Sequence, residues 1–508
     1  MQNLLPEINK NNKGIKVTHA TGAPGSKALA SIDQLLLILP KKVPAGLWRK
    51  VQQGNKIRVL MRRRSDGSIP AAETRLNNKR QTRVIVGSLS SDAETFEELT
   101  LGRELVGAAT AEKAGCVGIW VLGFGSMDQQ RISKNIVAAA LAAGFSMPEF
   151  KSKDSPAKVR SIRVIGLDER ANFSRESAEA AGNNLARWLT ALPPNKLDAS
   201  SYTKLLQELS KQQGWQFKKF NTSELEKLGA GAFLAVSQGN ENDSAAIVRI
   251  RYRPDAKAST AKLSLVGKGI IFDTGGTNLK PFTSMLDMHT DMQGSAVAVG
   301  TLLAISNLGL PYAVDCWLAI TENRTGPEAY KSQDIVEAAN GKTIQTIHTD
   351  AEGRMALADT LVFSSRENPG LIIDYATLTG SCVNAVTTSY SGIFTNRPDW
   401  HPVLKRTGRE CGERVWPFPV EKEFLSEIKS DVADLKQCAP NGGGDHILAA
   451  VFLNEFVENN VPWVHIDLSA GGRKGGLANI PTEITGFGVR YTMSLILDQQ
   501  ALDKPGWM

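Results

Sequence analysis

Short apolar runs alternate along the chain with longer segments whose apolar residues recur at helical spacing. Residues 82–89 (TRVIVGSL), 116–123 (CVGIWVLG) and 161–167 (SIRVIGL) predict strands, and so does 56–62 (KIRVLMR). Residues 93–114 and 129–143 predict helices, and a long helix is expected to end near Leu192, at Pro193-Pro194-Asn195. The stretch 192–200 (LPPNKLDAS) reads as a boundary, with Asp198 or Ser200 able to cap the helix expected over 201–213. Strands are then expected at 215–220, 246–252, 263–272, 312–320, 343–347, 371–375 and 463–468, with helices at 294–308 and 356–365. Strands alternating with helices of this length predict two α/β domains. Residues 1–190 form a smaller N-terminal domain that reads as scaffold or assembly. Residues 191–508 form a larger domain, with a mixed, mostly parallel sheet covered by helices.

One stretch stands out. Residues 263–291 open as a buried strand, break at Asp273-Thr274-Gly275-Gly276, pass Lys280-Pro281 and reach Asp287 and Asp291. Lys268 sits inside the apolar run, between Gly267 and Gly269. A buried ammonium is costly unless it is paired or gives up its proton. Asp273 follows at the strand's end, where open α/β sheets place their ligand sites. A second dense cluster comes later, His348-Thr349-Asp350-Ala351-Glu352-Gly353-Arg354. Asp273, Asp287, Asp291, Asp350 and Glu352 cannot all stay ionised at one place without cations. Oxygen-rich sites suit divalent metals such as Mg, Mn or Zn. In an extended segment, Asp350 and Glu352 would point the same way. Two metals about 3.5–4 Å apart can share a bridging carboxylate and an acidified water. Lys280 and Arg354 add positive charge where an oxyanion develops.

Other chemistries are excluded by what is absent. The six histidines include no HExxH pair, and the chain has no GxSxG elbow and no Walker lysine motif. The five cysteines, Cys116, Cys316, Cys382, Cys411 and Cys438, are scattered without a CxxC, which points to a reducing, cytoplasmic setting. Neither a signal peptide nor a membrane span is indicated. The net charge of +7 over 508 residues is mild, and the basic Arg62-Arg63-Arg64 reads as a solvated face rather than a nucleic-acid contact.

The motifs VGKGIIFDTGG, LKP, MHTDM, HTDAEGRMALADTL and DYATLTGS resemble those of the leucine (cytosol) aminopeptidase family, and the likeness extends over residues 190–508. The resemblance implies an exopeptidase with two divalent ions, zinc or manganese, acting on peptides with a free N-terminus and often assembling as a homo-hexamer. By motif position, one ion is expected on Lys268, Asp273, Asp291 and Glu352. The other is expected on Asp273, Asp350 (through its backbone carbonyl as well) and Glu352. Lys268 must then be neutral. Lys280 would polarise the scissile carbonyl, and Arg354 would hold a bicarbonate ion acting as general base. Met288, Thr377, Leu378 and Gly380 match positions around the substrate's first side chain.

The chain also departs from the family pattern. Ser469 and Gly472 stand where members place Ala and Met, which predicts a larger, slightly more polar pocket that takes bulky or polar residues alongside Leu. His348 replaces the usual Asn, Met355 the usual Leu, and Tyr375 is unusual. Asp445-His446, after Gly442–Gly444, is readable as a further metal pair but reads better as a turn before a helix over 447–456. Two competing functions are a weakly catalytic structural or DNA-binding relative and a two-metal phosphoesterase. The intact acids and cations argue against the first, and the scarcity of histidines argues against the second.

Overall fold

The protein is described from a computed structural model over residues 5–6, 14–64, 68–112, 114–152, 159–240, 244–254, 262–441 and 443–503. Most of the first fourteen residues and Gly442 lie outside the described residues.

The N-terminal sheet contains β1 (Lys16–Ala20), β2 (Gln34–Pro40), β3 (Ala72–Arg75), β4 (Arg83–Leu89), β5 (Cys116–Val121) and β6 (Ser161–Ile165). Their order is β1-β6-β5-β2-β4-β3, parallel throughout except for the edge strand β3. β1 and β2 have no counterpart among the expected strands. Residues 56–62, expected as a strand, belong instead to the helix Gly54–Arg63. Ile57, Leu60 and Met61 are spaced i, i+3, i+4 and pack into one apolar cluster, while Lys56, Arg62 and Arg63 face solvent. A seven-residue window is too short for alternation and helical spacing to be told apart.

The second sheet is larger. It contains β7 (Gln216–Asn221), β8 (Ala246–Tyr252), β9 (Leu263–Asp273) and β10 (Val314–Asn323). After a small sheet of β11 (Ile335–Glu337), β12 (Thr343–Gln345) and the later β16 (Leu435–Lys436), it continues with β13 (Leu371–Ala376), β14 (Ser391–Thr395), β15 (Val415–Pro417) and β17 (Trp463–Asp467). The order is β15-β14-β17-β13-β9-β10-β8-β7. The central strands β17, β13, β9 and β10 run parallel, and both flanks include antiparallel pairs. This is a mixed, mostly parallel sheet with an apolar cluster on each face, as the alternation along β9 requires. Leu263 and Leu265 join one cluster, and Val266 and Ile270 the other. Asp198 caps the helix Ala199–Gln213 by accepting from Ser201 N at 2.7 Å, as its position predicts.

The helix Gln293–Asn307 packs on β9 and is itself covered by the helix Ser174–Thr190. The two helices cross where Gly182 meets Gly300. A Cβ at Gly182 would lie 2.2 Å from Gly300 O, so only glycine permits this approach. At its other end a Cβ on Gly294 would lie 2.1 Å from Tyr375 O, which holds the helix start against β13. Asp291 precedes that helix start, so the close packing sets its position. A Gly182→Ala substitution is expected to destabilise the chain by about 1–3 kcal/mol through overpacking. The check is a lower urea midpoint with an unchanged m-value; an unchanged midpoint would mean the crossing is slack.

Candidate metal centre and active-site cavity

The carboxyl ends of the central strands open onto a cavity of about 850 Å³. Its walls include Lys268, Asp273, Lys280, Asp291, Asp350, Glu352 and Arg354. The two sequence clusters therefore meet in one place. Lys268 projects from the middle of β9 and is almost fully buried. Its flanking glycines have a steric reason: a Cβ at Gly267 would come within 2.5 Å of Ser295 Cα, and one at Gly269 within 2.7 Å of Ala319 O. Gly353 serves the lysine itself, since a Cβ there would lie 2.7 Å from Lys268 Nζ.

Lys268 Nζ donates to Asp291 Oδ1 at 2.9 Å and to Thr377 O at 2.8 Å, and pairs with Glu352 Oε1 at 2.9 Å. Burial pulls its pKa down, but Asp291, Glu352 and Asp273 outweigh burial and hold it above the ordinary lysine value. This arrangement favours the charged form of Lys268. Lys280 Nζ lies 2.8 Å from Asp273 Oδ2 and also pairs with Asp350 Oδ1. Burial again opposes its charge, and Asp273, Glu352 and Asp350 again prevail.

The acids are under strain of their own. Burial pushes Asp291 up to about 6, against the pull of Lys268. Burial and the charge of Asp273 push Glu352 up to about 8, and the same two causes raise Asp350. Oxygens of Asp273, Asp350 and Glu352 all lie within 4.8 Å of one another. Acids this close, reluctant to ionise and facing two lysines, are a donor set that fits divalent cations.

Neighbouring polar groups hold these acids in place, and among them Asn323 and Tyr330 carry no sequence signal. A register shift at the end of the β9–β10 pair sets Asn323 opposite Asp273. Asn323 Nδ2 donates to Asp273 Oδ1 at 2.8 Å and to Thr349 O at 3.0 Å. Gly275 N, in a left-handed turn at φ +88°, donates to the same Asp273 oxygen at 2.8 Å. Thr377 Oγ1 donates to Asp291 Oδ1 at 2.7 Å, and Tyr330 donates to Thr349 O at 2.8 Å.

Two expectations need correction. Asp350 and Glu352 do not lie in an extended segment. Asp350 sits in a turn, Ala351 has ψ +35°, and Glu352 is the first residue of the helix Glu352–Arg366. The acids converge because the chain turns into a helix there, not because of strand alternation. Asp287 does not join the cluster; it is exposed at the start of the 3-10 turn Met288–Thr290. His348 borders the cavity, and its Nδ1 accepts from Asp350 N at 3.3 Å. It steadies the turn that presents Asp350.

Met288, Thr377, Leu378, Gly380, Ser469 and Gly472 line the same cavity. Ser469 is buried beside the Cys382 thiol. Arg354 is buried, with Nη1 donating to Gln437 O at 3.2 Å and Nη2 to Asp445 Oδ2 at 2.8 Å. Its guanidinium is thus already engaged by a carboxylate of the chain.

A model of the cytosol aminopeptidase family, catalytic domain, matches residues 184–493. The chain belongs to the cytosol aminopeptidase family. A probable cytosol aminopeptidase of Prochlorococcus marinus is 35% identical over 415 residues, covering 80% of this chain and 82% of that protein. One of Chlorobaculum tepidum is 32% identical over 458 residues, covering 85% and 89%. Among solved structures, the bottromycin maturation enzyme BotP in complex with Mn is 26% identical with a TM-score of 0.80, covering 93% of this chain and all of that one. A point mutant of tomato leucine aminopeptidase, 24% identical, has a TM-score of 0.83 over 96% of this chain and 98% of that one, and shows the shared fold. The family makes the chain a metal-dependent aminopeptidase. No helix among the described residues is long and apolar enough to cross a membrane.

The raised acids predict how metal and pH interact. Asp291 and Glu352 titrate at about 6 and about 8 in the folded chain, above their unfolded values of 3.8 and 4.5. The folded chain therefore holds more protons than the unfolded chain through that window, and their contribution to stability is lost as pH rises through it. Protons also compete with metal for the same oxygens. The difference in melting temperature between metal-loaded and metal-free protein is expected to widen from pH 5 to pH 8. A difference that does not change with pH would contradict this electrostatic picture.

Proposed function

We propose that this chain uses two divalent ions, zinc or manganese, to remove N-terminal residues from peptides, leucine and bulkier or more polar residues among them. The observation that carries the reading is the meeting of Lys268, Asp273, Lys280, Asp291, Asp350, Glu352 and Arg354 on one cavity. Lys268, Asp273, Asp291 and Glu352 would hold one ion, and Asp273, Asp350 and Glu352 the other. Bound ions would supply a water acidic enough to attack near neutral pH.

The chain's own groups do the rest. Lys268 would have to give up its proton to serve as a ligand. Lys280, freed from Asp273 and Asp350 as their charge is taken up, turns its ammonium to the scissile carbonyl oxygen and steadies the negative charge that forms there. A free substrate α-amine would be a ligand of the first ion, so a blocked amine would lose that contact and cleavage would be restricted to the first residue. Ser469 and Gly472 leave a wide, partly polar wall around that residue's side chain, and Met288, Thr377, Leu378 and Gly380 complete it. Residues 1–190 serve as the scaffold of a homo-hexamer in the cytoplasm, and residues 191–508 carry the chemistry. Family resemblance supports these last assignments. The bicarbonate that the family resemblance places on Arg354 meets a guanidinium already paired with Asp445.

Metal-stripped protein, reloaded with Mn or Zn, is expected to hydrolyse leucyl-p-nitroanilide. Lys280→Ala should lower kcat by about 10²–10³-fold, the size of losing one oxyanion donor. No activity in the metal-loaded wild type would overturn the reading.

A further inference from the structure

Arg354 is almost completely buried and borders the cavity. A guanidinium cannot shed its charge, so a buried one needs an anion. Here the anion comes from the chain. Asp445 Oδ2 lies 2.8 Å from Nη2, and the carboxylate itself keeps about a quarter of its surface open, at 27% exposure. Asp445 is also among the residues that wall the cavity.

The local fold frees Asp445 for this contact. It is the first residue of the helix Asp445–Asn454, after Gly444 at φ +64°. The N-cap is Gly444, which has no side chain to offer, and the Asp445 carboxylate is directed to the Arg354 guanidinium. The next amide, His446 N, is satisfied from outside, by Ser381 Oγ at 2.8 Å. His446 Nδ1 also contacts Ser381 Oγ at 3.0 Å, and its ring packs edge-on against Phe418. His446 is thereby held as a packing residue, which removes the paired-ligand reading of Asp445-His446. The helix start is pinned without Asp445, and Asp445 turns to Arg354.

The contact leaves part of the arginine fork open. Arg354 Nη1 is taken by Gln437 O, and Asp445 engages Nη2, while Nε is buried without an acceptor. The Nε–Nη2 edge is the face on which arginine binds a carboxylate or a bicarbonate with two hydrogen bonds. Asp445 occupies half of that edge and closes it to a second anion.

We infer that Asp445 is a built-in replacement for the external bicarbonate at Arg354, and that its carboxylate is the proton carrier of the hydrolysis. Resting on the aminopeptidase reading above, the step balances as follows. The attacking water forms its bond to the scissile carbonyl carbon and gives a proton to Asp445. As the carbon–nitrogen bond breaks, Asp445 returns that proton to the leaving amine. Water is consumed, and an amino acid and a shortened peptide leave.

The test compares Asp445→Ala and Asp445→Asn with wild type in carbon dioxide-free buffer, with bicarbonate or formate added back. Wild-type hydrolysis of leucyl-p-nitroanilide is expected to be indifferent to bicarbonate. Both variants should lose about 10²–10⁴-fold in kcat, the usual range for a general base. Only Asp445→Ala should recover, with saturation, because only it opens the Nε–Nη2 edge. A purely structural role for Asp445 would be met by Asn, which keeps the hydrogen bond to Arg354. A second readout needs no turnover: line broadening of carbon-13 bicarbonate by metal-free protein should be greater for Asp445→Ala than for wild type. The inference is overturned if wild type requires bicarbonate, if it binds bicarbonate as well as the alanine variant does, or if Asp445→Asn keeps full activity. Absence of hydrolysis in metal-loaded wild type would sink the aminopeptidase reading and the proton-transfer role with it. The bicarbonate comparison would still decide whether Asp445 occupies the site.

Discussion

Charge balance at the carboxyl end of β9 is the constraint on which the rest of the structure depends. Asp273, Asp291 and Glu352 are buried there and Asp350 is partly so, with the ammonium groups of Lys268 and Lys280 among them. Two unit charges about 4 Å apart interact by roughly 4 kcal/mol at an effective dielectric of 20. Repulsion of that order is sustained only because each acid faces a lysine and because Asn323, Gly275 and Thr377 donate hydrogen bonds to fixed oxygens. The raised pKa values of Asp291, Asp350 and Glu352 show that the lysines do not finish the job. A divalent cation would finish it, and the family to which the chain belongs works with such ions.

The scaffold serves that cluster through close backbone contacts. The lysine strand is flanked by glycines because a helix and a neighbouring strand press directly on it. Gly353 gives the lysine side chain its room, and the Gly182–Gly300 crossing braces the helix that follows Asp291. These glycines stand in four different elements, yet all bear on where the acids and Lys268 point.

The parts of this arrangement legible in the sequence were those with local chemistry. An ammonium in an apolar run, an acid at a strand end, and acids beside a cation and glycine all announce themselves within a few residues. Asn323, Tyr330 and Gln437 announce nothing, because their polar groups are delivered from far along the chain. Asp287 looked like a member of the cluster by spacing, but a 3-10 turn carries it to the surface. The convergence of Asp350 and Glu352 was foreseen for the wrong reason, since backbone geometry at Ala351 is invisible in residue types. In the N-terminal half, Gly54–Arg63 shows the same ambiguity on a smaller scale. In the sequence Asp445 reads as part of a turn or of a metal pair, and its partnership with Arg354 is hidden because it spans ninety-one positions.

The central claim is that the acids at the end of β9 exist to hold two ions. Anomalous diffraction from crystals grown with manganese, collected at the manganese edge, tests it most directly. Two peaks per chain about 3.5–4 Å apart are expected, as in two-metal sites generally. Asp273 and Glu352 should lie between them, and Lys268 Nζ should be a ligand of one. A single peak, or peaks bound outside this cavity with Lys268 still paired to Asp291, would contradict it.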